Sequence, residues 1–246
     1  MSATEAPAFP PSTQDFLHSV LRLHPKVAAF DCDGTLWSGD VGERFFDWEL
    51  RERHVFPDDA RRGELSQFWR ARYADYKRGE VDETTMCGEM VTLHRGISEV
   101  NLMAAASLFF EQNFVPLIFP EMRELVGRLQ DQGCEIWTVS SSNEWIIRAA
   151  MKHFGISEDR VLAAKVKIVN GIATDKLIRV PSGHGKPEVL RAVVGKPIDA
   201  AFGNSRWDAE MLDMARHAFA INPNPDLELT ARERGWPVYF PEGAGH

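Results

Sequence analysis

The sequence predicts an α/β fold: a mostly parallel sheet with helices on both faces, interrupted after its first strand by an all-helical insertion. Two patterns carry that reading. From residue 116 onward, short apolar β-forming runs alternate with helical stretches, as in sheets built by crossover connections. Residues 38–115 instead show helical periods and no convincing strand, so they fall between the first and second core strands.

Residues 1–11 are small, polar and proline-rich, without the basic flank and apolar run of a secretory leader, and read as a flexible tail. A helix is expected over 12–23 and a buried strand over 26–30. In the insertion, aromatic and apolar stripes recur at helical spacing: Phe45, Phe46, Trp48 and Leu50; Leu65, Phe68, Trp69 and Tyr73; Met86, Met90 and Val91; Leu102, Ala105, Leu108 and Phe109. Bundle core is the simplest use for them. Charged runs such as Arg51-Glu52-Arg53 read as solvated faces.

Beyond Pro116, helices are expected at 120–132, 143–154, 187–194, 207–215 and 226–234. Strands are expected at 134–139, 161–163, 198–202, 217–221 and 236–240, with a separate hairpin over 165–180 turning at Asn170-Gly171. The core domain is thus 12–37 plus 116–246, and the insertion is 38–115.

The chain has 246 residues, 44% apolar and 26% charged, enough for one core and a sizeable insertion. Its net charge of −8 leaves no basic footprint for nucleic acid. Any phosphate-handling site must therefore be locally cationic. Cys32, Cys87 and Cys134 cannot all pair, so reduced thiols in the cytoplasm are expected. No window approaches the length of a membrane helix.

The chemistry is concentrated where predicted strands end. The run Ala28-Ala29-Phe30-Asp31-Cys32-Asp33-Gly34-Thr35 ends an apolar strand in two carboxylates at i and i+2, which a strand would send to one face. Acids there repel unless a cation lies between them. Ser140-Ser141-Ser142-Asn143 follows the second core strand and opens a helix, so hydroxyls and free backbone N–H groups offer an anion site. Gly183-His184-Gly185-Lys186-Pro187 brings a lysine to another turn, and Gly203-Asn204-Ser205-Arg206-Trp207-Asp208 brings hard oxygen donors to a third.

With Asp31-x-Asp33-Gly34-Thr35, Ser140, Lys186 and Gly203-Asn204 to Asp208 in this order, the chain resembles the haloacid dehalogenase-like superfamily of phosphohydrolases. The Ser140–Trp145 run, the turn at Asn170-Gly171 and the Ile221-Asn-Pro-Asn-Pro225 tail look most like its phosphoserine phosphatase-type branch. The resemblance implies a Rossmann-like core with a helical cap that closes over the site. It also implies Mg²⁺-dependent hydrolysis of a small phosphomonoester through an aspartyl-phosphate. Asp31 would be the nucleophile, Asp33 the acid and then base, and Ser140 and Lys186 the groups holding the phosphoryl oxygens. Gly34, Thr35, Ser141 and Asp40 would join the substrate site, Asp40 near a substrate amine. Mg²⁺ would be held by the Asp31 carboxylate, the Asp33 backbone carbonyl and the Asn204 side chain, with Asp208 in support through water or directly.

Asn204 departs from the acid usual at its place, which is expected to weaken metal binding. Asp33 argues against carbon–halogen hydrolysis, because halide leaves without a proton. Phosphotransfer through the same aspartyl-phosphate, or a weakened binding protein on this scaffold, are the alternatives. An amine-bearing substrate is suggested by Trp37, Trp48 and Trp69 among several acids. Met90 falls about where the branch places an arginine for a substrate carboxylate, with Arg95 out of register. Oligomeric state is not legible.

Overall fold

The computed structural model describes residues 9–52, 54–56 and 58–243. Residues 1–8 of the expected tail, and Arg53 in the charged run, lie outside the described residues. The strands are β1 (Val27–Phe30), β2 (Glu135–Asn143), β3 (Val161–Val169), β4 (Ile172–Arg179), β5 (Ala200–Gly203), β6 (His217–Ile221) and β7 (Val238–Tyr239). They form one sheet in the order β4-β3-β2-β1-β5-β6-β7. Neighbours are parallel except β3 and β4. From β1 the chain steps outward through β2 and β3, then returns and steps the other way through β5, β6 and β7. The switch point therefore falls at the carboxyl end of β1, where such sheets open a crevice for ligands.

Helix α1 (Pro11–Leu21) precedes β1, and four helices separate β1 from the rest of the sheet: α2 (Val41–Arg51), α3 (Asp59–Lys77), α4 (Glu83–Thr92) and α5 (Glu99–Asn113). Each of the four starts on a polar cap. Asp40, Asp58, Asp82 and Ser98 accept from the backbone N–H three residues on, satisfying a donor the helix itself leaves open. A short 3₁₀ turn (Val115–Leu117) then leads to α6 (Pro120–Asp131). The loop between α4 and α5 is tied to β4 by Gly96 N donating to Ala173 O at 2.8 Å and Ala173 N donating to Ile97 O at 2.9 Å.

After β2 come α7 (Glu144–Met151), α8 (Gly185–Val193), α9 (Ala209–Met214) and α10 (Pro225–Arg234). Alternation along β1 divides the core. Ala28 and Phe30 join Leu17 of α1, Leu125 of α6, Ile146 of α7 and the apolar residues of the insertion. Val27 and Ala29 face Leu190 of α8, Leu212 of α9 and Leu227 of α10. Phe30, Phe202 and Phe219 occupy one register row across β1, β5 and β6, stacked with centroids 4.2 and 5.0 Å apart.

Three elements differ from the sequence reading. The short strand at 161–163 and the first arm of the hairpin are one continuous β3, which pairs with β2 at its start and β4 at its end. The hairpin thus extends the sheet, still turning at Asn170 and Gly171 with φ of 50° and 75°, as a two-residue hairpin turn requires. Strand β2 runs on to Asn143, so the serines that follow Val139 lie on extended backbone. The helix expected at 207–215 starts as a 3₁₀ turn (Arg206–Asp208). Among the described residues, no helix is long and apolar enough to cross a membrane.

The insertion encloses an ionisable pair. Glu49 of α2 and His94, just after α4, are both fully shielded, with Nε2 3.0 Å from Oε2. The imidazole lies against the rings of Phe46, Phe56 and Trp145. Burial holds the Glu49 carboxyl above its usual range, and His94 pulls it back down. His94→Leu would strand that carboxylate among rings and is expected to lower stability by about 3 kcal/mol at neutral pH. A raised folded-state pKa makes this loss vanish below the unfolded value of about 4 and grow as pH rises through it. Urea unfolding of both proteins at neutral and acidic pH checks it; an equal loss at both would be the wrong outcome.

Candidate functional site

One residue beyond β1 the ladder still holds: Asp31 N donates to Phe202 O at 2.9 Å. The chain then turns, with Thr35 N and Leu36 N donating to Cys32 O at 3.1 and 2.8 Å. Gly34 makes the turn possible with φ +72°, and a Cβ there would lie 2.6 Å from Asn204 Cγ. Glycine therefore serves both the left-handed backbone and the close approach of the β5–α9 loop. Asp31, Asp33 and Gly34 border a cavity of about 450 Å³, with Ser140, Ser141, Lys186, Asn204 and Asp40 also on its wall.

Lys186 is buried beneath this cavity and its ammonium has three acceptors. Nζ donates to Asp31 Oδ1 at 2.7 Å, Asp208 Oδ1 at 2.5 Å and Val139 O at 3.0 Å. The two carboxylates hold its pKa above the ordinary lysine value although burial opposes this. Thr35 Oγ1 donates to the other Asp31 oxygen at 2.8 Å. Burial, and after it the Asp208 charge, push the Asp31 carboxyl up to about 7 against the pull of Lys186.

Asp33 has different company. Oδ1 accepts from Trp37 Nε1 at 2.8 Å and Val41 N at 2.7 Å, and Oδ2 accepts from Ser142 Oγ at 2.8 Å. Burial first, and then the Asp40 charge, hold this carboxyl well above the carboxylate range despite those donors. Two carboxyls two residues apart therefore have unlike surroundings: one salt-bridged, the other held by neutral donors. That division suits a pair with separate acid–base duties.

The expected residues fall into two layers. Asp31, Asp33, Gly34, Asp40, Ser140, Ser141, Lys186 and Asn204 all line the cavity. Thr35 and Asp208 are fully buried behind it. Asp208 Oδ2 accepts from Asn204 N and Ser205 N, both at 2.9 Å, so this acid fixes the 204–205 loop and Lys186 together. Asp40 caps α2 through Glu43 N at 2.8 Å. Ser140 Oγ accepts from Ser142 N at 3.1 Å.

Two wall residues, Glu83 and Tyr76, carry no signal in the sequence reading. Ser142 and Trp37, quoted there in other roles, hold Asp33, and Trp207 and Asn222 also line the cavity. Asn222, from the tail motif, donates to Gly34 O at 3.3 Å. Trp69 and Tyr73, grouped with the bundle core, reach the cavity, as does Met90. Trp48 instead packs on Phe45, and Trp37 is fully buried. Arg95 is exposed and paired with Asp175 at 3.0 Å. All three cysteines are free thiols.

Among the described residues no group of three or more His, Cys, Asp or Glu side chains is placed to hold a metal ion. The donors facing the cavity beside Gly34 are of mixed kind: the carboxylate of Asp31, Asp33 and the amide of Asn204. Hard oxygens of this sort, completed by water, suit Mg²⁺ better than a soft metal.

A buried strand-end carboxylate joined to a lysine, at the switch point of a doubly wound sheet, defines an α/β enzyme of phosphate-ester hydrolysis when its relatives are set beside it. The haloacid dehalogenase-like hydrolase family model matches residues 28–213. The chain belongs to the haloacid dehalogenase-like hydrolases and is a phosphatase of that family. It is 28% identical over 223 residues to a histidinol-phosphatase of Neisseria meningitidis, covering 86% of this chain and 97% of that one. It is 26% identical over 219 residues to a phosphoserine phosphatase of Mycobacterium tuberculosis, covering 86% and 70%. In fold it is similar to a Bordetella pertussis protein of unknown function, with TM-score 0.73, 22% identity and coverage of 87% and 97%.

Proposed function

We propose that this protein is a Mg²⁺-dependent phosphomonoester hydrolase that works through an aspartyl-phosphate on Asp31, with a small amine-bearing phosphate ester as substrate. The single observation that carries the reading is the Lys186 ammonium held at 2.7 Å from Asp31 Oδ1 inside the cavity. It gives a buried carboxylate the countercharge that favours its ionised, attacking form and stands where a phosphoryl group would bring further negative charge.

Asp31 attacks phosphorus and the ester oxygen leaves. Asp33, held protonated by its surroundings and bordering the same cavity, gives that oxygen its proton. It then takes a proton from the water that releases phosphate. Ser140 and Lys186 position the phosphoryl oxygens, and Trp37 and Ser142 keep Asp33 aimed. The Asp31 carboxylate, the Asp33 backbone carbonyl and the Asn204 side chain would hold Mg²⁺, which would supply charge neutralisation at the transferring group. The helices at 38–115 act as the cap that shields the reaction from water. Histidinol phosphate and phosphoserine, the compounds in two relatives' names, are both amine-bearing phosphomonoesters.

With p-nitrophenyl phosphate, turnover should require Mg²⁺ and fall by about 10³-fold or more in Asp31→Asn. Turnover independent of the metal, or retained in the variant, would overturn the reading. Asn204→Asp adds one carboxylate to the donor set, so half-maximal rate should need less Mg²⁺, by about tenfold, and Mg²⁺ should raise the variant's Tm at lower concentration. An unchanged requirement in both measurements would show that position 204 does not hold the ion.

A further inference from the structure

The wall of the cavity has a lopsided charge. Five carboxylates line it, those of Asp31, Asp33, Asp40, Glu43 and Glu83, against the single cation Lys186. Two of the acids belong to the reaction, and Lys186 is already shared between Asp31 and Asp208. Asp40, Glu43 and Glu83 remain on the side formed by the insertion.

Glu83 is the most committed of the three. It is the first residue of α4 and only 9% exposed, and it accepts from Ser182 Oγ at 2.9 Å. Ser182 lies between β4 and α8, so the contact joins the insertion to the loop that leads into α8, where Lys186 sits. This buried carboxylate is supported by the Ser182 and Ser141 hydroxyls, and the opposite charge acting on it, Lys186, is already shared between Asp31 and Asp208. The cavity wall also carries the rings of Trp69, Tyr73, Tyr76 and Trp207, the surface a desolvated cation prefers.

Among the described residues no lining cation other than Lys186 stands ready for a substrate carboxylate. Arg72 makes a two-pronged pair with Glu89 at 2.6 and 2.6 Å. Arg95 is exposed on Asp175. Lys77 and Arg206 lie over the rings of Tyr73 and Trp207, 4.8 and 4.5 Å from their centroids, and neither lines the cavity. Position 90, which faces the cavity from α4, is methionine.

We infer that the phosphate ester taken by this site is that of an amino alcohol: its alcohol part carries a cation and no carboxylate, and Glu83 selects it by pairing with that cation. The inference rests on the phosphatase reading of the same site and goes beyond it by excluding phospho-amino acids. An ammonium entering beside Glu83 finds the countercharge the wall lacks. A carboxylate attached to the same carbon meets Asp40 and Glu43, and the cations that act on Asp40, Lys77 and Arg44, lie off the cavity wall.

The test compares three esters that differ by one group at a time: O-phosphoethanolamine, ethyl phosphate and O-phospho-L-serine, with p-nitrophenyl phosphate as reference, all with Mg²⁺. Expected is a kcat/KM for phosphoethanolamine at least about tenfold above both others. In Glu83→Gln its advantage over ethyl phosphate should shrink at least about fivefold. Phosphoserine equal to or better than phosphoethanolamine overturns the inference, as does ethyl phosphate at parity. A preference unchanged in Glu83→Gln overturns the part assigned to Glu83. Calorimetric binding of the three esters to Asp31→Asn gives the same ranking without turnover and without altering Glu83. If that ranking appears but p-nitrophenyl phosphate is not hydrolysed by the wild type, the phosphatase reading fails and the amino-alcohol specificity stands. Hydrolysis without the ranking fails the specificity alone.

Discussion

The buried ammonium of Lys186 holds the site together. Taking a lysine out of water costs several kcal/mol, which only close opposite charge and full hydrogen bonding offset. Here all three of its protons are taken, by Asp31, Asp208 and Val139 O. Those acceptors belong to different segments: the end of β1, the turn before α9 and the middle of β2. The lysine thus fastens α8 to the sheet at the switch point. Without it two carboxylates would face each other in a desolvated cleft. Asp208 carries the same restraint onward, since its second oxygen holds the backbone of Asn204 and Ser205.

This arrangement separates two acids that sequence alone makes look equivalent. Asp31 has a cation and a hydroxyl, whereas Asp33 has an indole N–H, a backbone N–H and a hydroxyl, with the Asp40 charge nearby. In the proposed reaction the first must arrive ionised and the second protonated. Lys186 favours the ionised form of the first against burial and Asp208, while burial and Asp40 favour the protonated form of the second. The insertion reaches the same acid, because Val41 N at the start of α2 is one of the donors to Asp33 and draws its carboxyl back toward the ionised form.

Much of this was readable from local pattern. The apolar strand ending in Asp31, the Gly34 turn, the Asn170-Gly171 hairpin and the lysine before Pro187 each have chemistry that spacing alone exposes. What escaped depends on long-range packing. Ser142 and Trp37 become partners of Asp33 only after β2 and the β1–α2 loop meet it. Thr35 and Asp208 carry the right functional groups, yet the fold turns them behind the wall, where they hold Asp31, Lys186 and the 204–205 loop. Trp69 and Tyr73 have helical spacing equally suited to core or cavity, and only the lie of α3 against the sheet decides. The single strand β3 was read as two because its partner changes from β2 to β4 partway along, and the burial pattern changes with it.

The central claim is that Asp31 itself takes the phosphoryl group. Mass analysis of peptides from the wild-type enzyme, acid-quenched during turnover of p-nitrophenyl phosphate with Mg²⁺, tests it most directly. The account predicts a phosphorylated peptide containing Asp31 whose label is released by hydroxylamine, as an acyl phosphate is. Turnover with no phosphopeptide in a quench fast enough to catch the first cycle, or a phosphoryl group on any other residue, would contradict it.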